Sequence, residues 1–253
     1  MNPMAISWIA FACVFGGALL GMLFRRIVPE RHLSADSKDV IKLGMGLIAT
    51  MSALVLALLI SSAKTSHDTQ SNELTQMAAD FIQLDRVLAH YGPETKDARA
   101  LLYATVAQGL GQTQSAKTYH SGILDTQVTT AGANSFFEKI QLLEPHSDFQ
   151  RALFAQAMQL SAELSRLRSL LLEQTGGSIP MPFLVVLVFW LAMLFTSFGL
   201  FAPSNATVIG ILLVCALSVA GAIFLVLEMD RPFEGLIQIS SAPLHNALAH
   251  LGK

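Results

Sequence analysis

Charge is scarce in this sequence. Of its 253 residues only 13% are Asp, Glu, Lys or Arg, against about 25% in an ordinary soluble domain. Hydrophobic residues make up 53% and the mean hydropathy is +0.52, so the deficit points to a membrane protein rather than a large soluble core. Neither sign of charge dominates: the net charge is -2 and the pI about 6.4, which gives no electrostatic case for nucleic acid. Cysteine is equally sparse. Cys13 and Cys215 both fall inside apolar runs, so there is no disulfide framework, and both read as small lipid-buried or helix-packing residues. Catalytic signatures are missing too: no glycine-rich phosphate loop, no His-Glu-x-x-His and no nucleophile elbow. The seven histidines are His32, His67, His90, His120, His146, His245 and His250. They are scattered, without metal-ligand spacing. The expectation is a protein that is not an enzyme and holds no cofactor or metal.

What the sequence does have is four long apolar runs, at about 5–24, 43–63, 183–202 and 206–227. A bilayer crossing takes roughly 20 apolar residues, and none of the four contains Asp, Glu, Lys, Arg or His. The first lacks preceding positive residues and is followed directly by Arg25 and Arg26, so it reads as an uncleaved anchor with its N-terminus translocated.

Between the second and third runs lies a polar block with helical periodicity. Leu74, Met77, Phe81, Leu84, Leu88 and Tyr91 recur at steps of three and four, as do Phe149, Leu153, Ala157, Leu160, Leu164, Leu167 and Leu171. Both are seams of long amphipathic helices close to the heptad pattern, expected to pair antiparallel as a stalk. Gly92-Pro93 ends the first, and a further helix is expected from Glu94 to about Gly109. The stretch "GQTQSAKTYHSGILDTQVTTAGANS" is weakly periodic and reads as a loop or short helical cap. Asp80, Asp85 and Arg86 read as a solvated or inter-helix ion pair.

The fold class is therefore an all-α integral membrane protein of four transmembrane helices, with a long helical extramembrane insertion between spans two and three. Its parts are 1–63, a first transmembrane pair with a basic loop; 64–178, the helical stalk; 179–227, the second pair; and 228–253, a C-terminal tail. The loop between spans one and two carries Arg25, Arg26, Arg31, Lys38 and Lys42. Positive-inside places that loop in the cytoplasm, and the helical block, N-terminus and tail outside.

In "LGMGLIATMSALVLALLISSAKTSHD", Gly46, Thr50, Ala53, Ala57 and Ser61 fall on one helix face that continues to Lys64 and Asp68, with Leu47, Leu54 and Leu58 read as its reverse. Small residues of this kind let helices approach closely in lipid. Copies of the face around an axis would instead surround a narrow path, with Lys64 at its mouth. At the end of the fourth run, Asp230 and Arg231 sit where charge is cheap and Pro232 stops the helix.

The second-span stretch and "MDRPFEGLIQIS" together resemble a bacterial family of four-span membrane proteins described as bestrophin-like. The resemblance covers nearly the whole chain and is strongest over 36–91 and 228–241. Bestrophins are pentameric anion channels whose second span lines the pore, and they carry an Asn-Pro-Phe-Gly stretch followed by an acidic calcium clasp after the fourth span. Here Asp230, Arg231, Pro232, Phe233 and Gly235 form the similar signature at the membrane exit. Only Glu234 stands where the acidic run would be, so the resemblance does not extend to calcium gating. It also places the helical domain in the cytosol, opposite to the charge count. The implied function is an oligomeric channel-like protein conducting small anions, a homo-oligomer and by resemblance a pentamer, in a bacterial inner membrane with lipid as its other partner. The alternative is a non-conducting sensor or assembly protein whose stalk binds a partner. The lack of any intramembrane charge disfavours a proton-coupled transporter.

Overall fold

The computed structural model describes residues 2–27, 35–115, 128–174, 179–203, 205–231 and 236–252. In order these form α1 (Pro3–Ile27), α2 (Ala35–Tyr91), a short 3-10 turn (Pro93–Thr95), α3 (Lys96–Ser115), α4 (Val128–Gln141), α5 (Asp148–Gln174), α6 (Met181–Phe201), α7 (Ala206–Met229) and α8 (Ala242–His250). No strand occurs among the described residues, and the protein is all-α. Four helices (α1, α2, α6 and α7) are long and apolar enough to cross a membrane. In α2 the apolar stretch is 43–63.

Helix α2 runs unbroken for 57 residues through the change of composition at Lys64. Between Gly46 and Tyr91 it holds neither proline nor glycine, so nothing in the backbone chemistry stops it. The chain divides into two compact units, residues 1–66 with 178–230, and 67–177 with 231–253.

The first unit is built around the close crossing of α1 and α6. A Cβ at Gly17 would stand 2.8 Å from the Ala192 carbonyl oxygen, one at Gly21 would run into the Thr196 carbonyl, and one at Gly199 into that of Ala18. The pairing 17 with 192–196 and 21 with 196–200 means that the two helices run in the same direction. Backbone approach at small residues is how helices associate where lipid supplies no hydrophobic drive. Arg25 at the end of α1 donates to the carbonyl of Ala202 at the end of α6, which satisfies a C-terminal acceptor. The C-terminal ends of α1 and α6 therefore lie at one end of this unit. At the other end Ile6, Leu184, Ile223 and Leu227 pack together. Asn205 caps α7, accepting from the Val208 N–H at 2.9 Å.

The second unit has its own core, in which Leu74, Met77, Leu84 and Leu88 of α2 meet Ala157, Leu164, Leu167 and Leu171 of α5, with Phe81, Leu153 and Leu160 packed at its edge. Gln150 Nε2 donates to the Tyr91 carbonyl at 3.2 Å, and Gln174 Nε2 to Glu73 Oε1 at 3.2 Å. Contacts of 91 with 150 and of 73 with 174 make the pair antiparallel. Phe149, placed in the seam by spacing, is instead 64% exposed in the first turn of α5. The third helix starts at Lys96 and extends to Ser115, past the expected end at Gly109. In the stretch read as a loop or cap, α4 begins at Val128, and 116–127 lie outside the described residues. After the fourth span the chain ends in α8, whose Leu244 and Ala247 are buried in this core and which packs on α3.

Candidate pore face on the second span

Helix α2 is the least covered of the four spans: 11% of its apolar stretch is buried, against 44% for α1. Its buried side is Ser52, Leu59 and Ala63, with Met45, Ile48, Ala49, Val55 and Leu56 packed beside them, against residues of α1, α6 and α7 such as Val14, Leu187, Leu191 and Ala216. At about 100° per residue, the Gly46–Thr50–Ala53–Ala57–Ser61–Lys64 stripe centres about 135° from that side, and every one of these residues is exposed in the single chain. A Cβ added at Gly46 would meet nothing within 4 Å. The reverse of the stripe is thus the Ile48, Ser52, Val55 and Leu59 side rather than the leucines. Leu47, Leu54 and Leu58 lie about 80° from the stripe and are themselves 64%, 61% and 69% exposed.

The stripe has little free polarity. Thr50 Oγ1 donates to the Gly46 carbonyl at 2.9 Å, and on the buried side Ser52 Oγ donates to Ile48 at 2.8 Å. Such back-bonding satisfies the hydroxyl within the helix, so the face between Gly46 and Ala57 offers small size rather than donors. Lys64 stands at its end, followed by His67, whose Nδ1 lies 3.7 Å from Asp68 Oδ1.

At the membrane exit Asp230 caps α7, its N–H reaching the carbonyls of Val226 and Glu228. Asp230 and Arg231 are partly buried. Pro232, Phe233, Glu234 and Gly235 lie outside the described residues. Glu228, the other acid of this exit, is only 4% exposed.

In the second unit the acidic residues of α2 take different parts. Asp85, 4% exposed, accepts from Arg99 of α3 at 2.7 and 2.9 Å and from the Gly252 N–H at 3.2 Å. The Asp85 carboxylate holds the Arg99 guanidinium above its ordinary value. Asp80, equally buried, accepts from Gln76 at 2.9 Å, and Arg86 stays exposed. On α5, burial pushes Arg168 below its usual value, whereas the exposed Glu163 is held low by its hydrogen bond from Arg166. No group of three His, Cys, Asp or Glu able to hold a metal ion occurs among the described residues.

A family model, the Bestrophin-like domain, matches residues 12–244. No curated protein sequence matches the chain. Among solved structures, a bacterial Bestrophin homolog from Klebsiella pneumoniae carrying an isoleucine-to-threonine substitution matches with a TM-score of 0.69 at 12% identity, over 96% of each chain. A tryptophan-to-alanine variant of the same homolog gives 0.67 at 12% identity, over 99% of this chain and 97% of that one. At such identity the likeness is one of fold. The family match spans nearly the whole sequence, and the chain belongs to the Bestrophin-like family.

Proposed function

We propose that this protein assembles as a homo-oligomer, a pentamer, around α2 and conducts small anions across a bacterial inner membrane. The observation that carries the reading is the exposed small-residue face of α2, set opposite the side that α1, α6 and α7 bury. If copies gather with that face inward, Gly46, Thr50, Ala53 and Ala57 form a narrow neck without charge. Such a neck conducts or closes by wetting and dewetting. Lys64 from each copy then supplies a ring of positive charge at one mouth, and repeated charges of one sign set ion preference. Asp230 and Arg231 stand at the exit of the fourth span, and with Pro232, Phe233 and Gly235 they make up the stretch that resembles the family signature. Calcium gating is no part of this reading, since the acidic run is missing. The excess of Arg and Lys after α1 puts that end in the cytoplasm, with the helical block outside.

Reconstituted in liposomes, the protein is expected to pass chloride in preference to sodium, and Lys64→Glu to move that preference toward cations. An assembled oligomer without flux would overturn conduction and favour the non-conducting sensor or assembly protein.

A further inference from the structure

Asp80 is an acid inside the apolar α2–α5 seam. It is 4% exposed, and Met77 and Leu84, about one turn to either side on α2, are buried core residues. The antiparallel pairing of Tyr91 with Gln150 and of Glu73 with Gln174 sets Asp80 across from the middle of α5, where Glu163 stands. Its carboxylate has one hydrogen bond, accepted by Oδ1 from Gln76 Nε2 at 2.9 Å. The other oxygen, Oδ2, is closed off from solvent and has no partner. Asp85, equally buried on the same helix, shows the contrast: its two oxygens take three hydrogen bonds, two of them from Arg99.

The charges around Asp80 do not compensate it. Across the seam Glu163 acts on it as a like charge. Arg166 of α5 is bound to Glu163, with Nε 3.0 Å from Oε2, and that bond keeps Glu163 ionised. Arg99 of α3 is taken by Asp85. Neither these nor Arg168 of α5 pairs with Asp80. A buried carboxylate lacking a counter-ion is costly when charged. Burial chiefly, and Glu163 in smaller part, therefore push the Asp80 carboxyl above its ordinary value of 3.8, against the Gln76 bond.

We propose that Asp80 is a proton-operated switch in the second unit: with the carboxyl neutral the α2–α5 seam is closed, and ionisation loosens it around Asp80. Below 3.8 the carboxyl is protonated whether the seam is closed or parted, and pH has no effect through it. As pH rises above that value, a parted seam releases the proton first while the closed seam still holds it. Closure weakens with rising pH until the buried group ionises as well, and is constant beyond. Parting relieves the charge by giving it water and distance from Glu163. The switch sits on the same unbroken helix that carries the small-residue face of the second span, yet it is a property of the second unit and stands independently of ion conduction.

The test is amide hydrogen exchange, read by mass spectrometry on the full-length, detergent-solubilised protein. Protection factors over the α2 segment around Asp80 are followed from mildly acidic to neutral pH, since they report local opening. In the unaltered protein protection should fall as pH rises. Asp80→Asn keeps the shape and cannot ionise, so it should be several-fold better protected at neutral pH, with the gain vanishing in acid. Glu163→Gln removes the like charge and should move the midpoint of the pH profile toward acid. The same pH profile in the unaltered protein and Asp80→Asn, or an Asp80→Asn protein less protected at every pH, would overturn the proposal. Glu163 is only partly buried, so the midpoint in Glu163→Gln decides the matter if Asp80→Asn fails to fold, and an unmoved midpoint would count against the switch.

Discussion

Arg99 of α3 grips Asp85 of α2 through both carboxylate oxygens, at 2.7 and 2.9 Å, and the Gly252 N–H adds a third bond to the same group. One carboxylate thus joins a helix that begins in the membrane-spanning unit, the helix after its turn, and the end of the chain. A planar guanidinium fork matches a carboxylate in this way and an ammonium does not.

Removing one partner of a buried pair leaves the other charge uncompensated, at a cost of about 3–5 kcal/mol. Arg99→Ala should therefore lower the unfolding free energy of the second unit by an amount near the bottom of that range, since the Arg99 side chain is 20% exposed. Arg99→Lys should fall between it and the unaltered protein. Denaturant unfolding followed by helix signal measures both, and equal stability of all three would show that the pair does not hold the unit.

The α1–α6 crossing makes a second prediction. Gly21→Leu forces a side chain against the Thr196 carbonyl, where backbone must move, and should cost at least about 1–3 kcal/mol. Gly16→Ala, on the same helix with nothing within 4 Å of the added carbon, should be neutral or slightly stabilising. Thermal melting in detergent compares the two, and a similar melting temperature for both would show that the helices do not meet at Gly21.

Orientation can be read by labelling. In a background without Cys13 and Cys215, a membrane-impermeant thiol reagent should reach Ala104→Cys on α3 in intact cells. It should reach Asp39→Cys at the start of α2 only after the membrane is opened. Ala104 and Asp39 are both exposed, so access through the membrane decides the outcome. The reverse pattern would put the helical block in the cytoplasm.

The spans and the α2–α5 seam were legible in the sequence because each is a periodic or uninterrupted signal along one helix. Leu74 to Tyr91 needed only their own spacing. The continuity of α2 was harder to see: Lys64 marks a change of solvent, and a change of solvent is not a helix breaker. Helix α8 has nine residues, too few for a periodic signal, although Pro243 in its first turn is a start signal in its own right. Arg99 could not be assigned to Asp85 from spacing, since fourteen residues and a turn separate them. Leu47, Leu54 and Leu58 read as the reverse of the small-residue stripe because both rows are regular. Only the packing of α1, α6 and α7 shows that the buried side lies elsewhere.

The proposal that the small-residue face of α2 lines a conduction path is tested most directly by thiol block of flux. Ala57→Cys and Leu58→Cys are adjacent on α2, yet Ala57 belongs to the stripe and Leu58 to the neighbouring leucine row. In liposomes containing protein without Cys13 and Cys215, a charged, membrane-impermeant thiosulfonate should cut chloride flux several-fold through Ala57→Cys. Flux through Leu58→Cys should be unchanged. Block at Leu58→Cys alone, or undiminished flux through Ala57→Cys after mass spectrometry shows that the thiol has reacted, would contradict the assignment of this face to the pore.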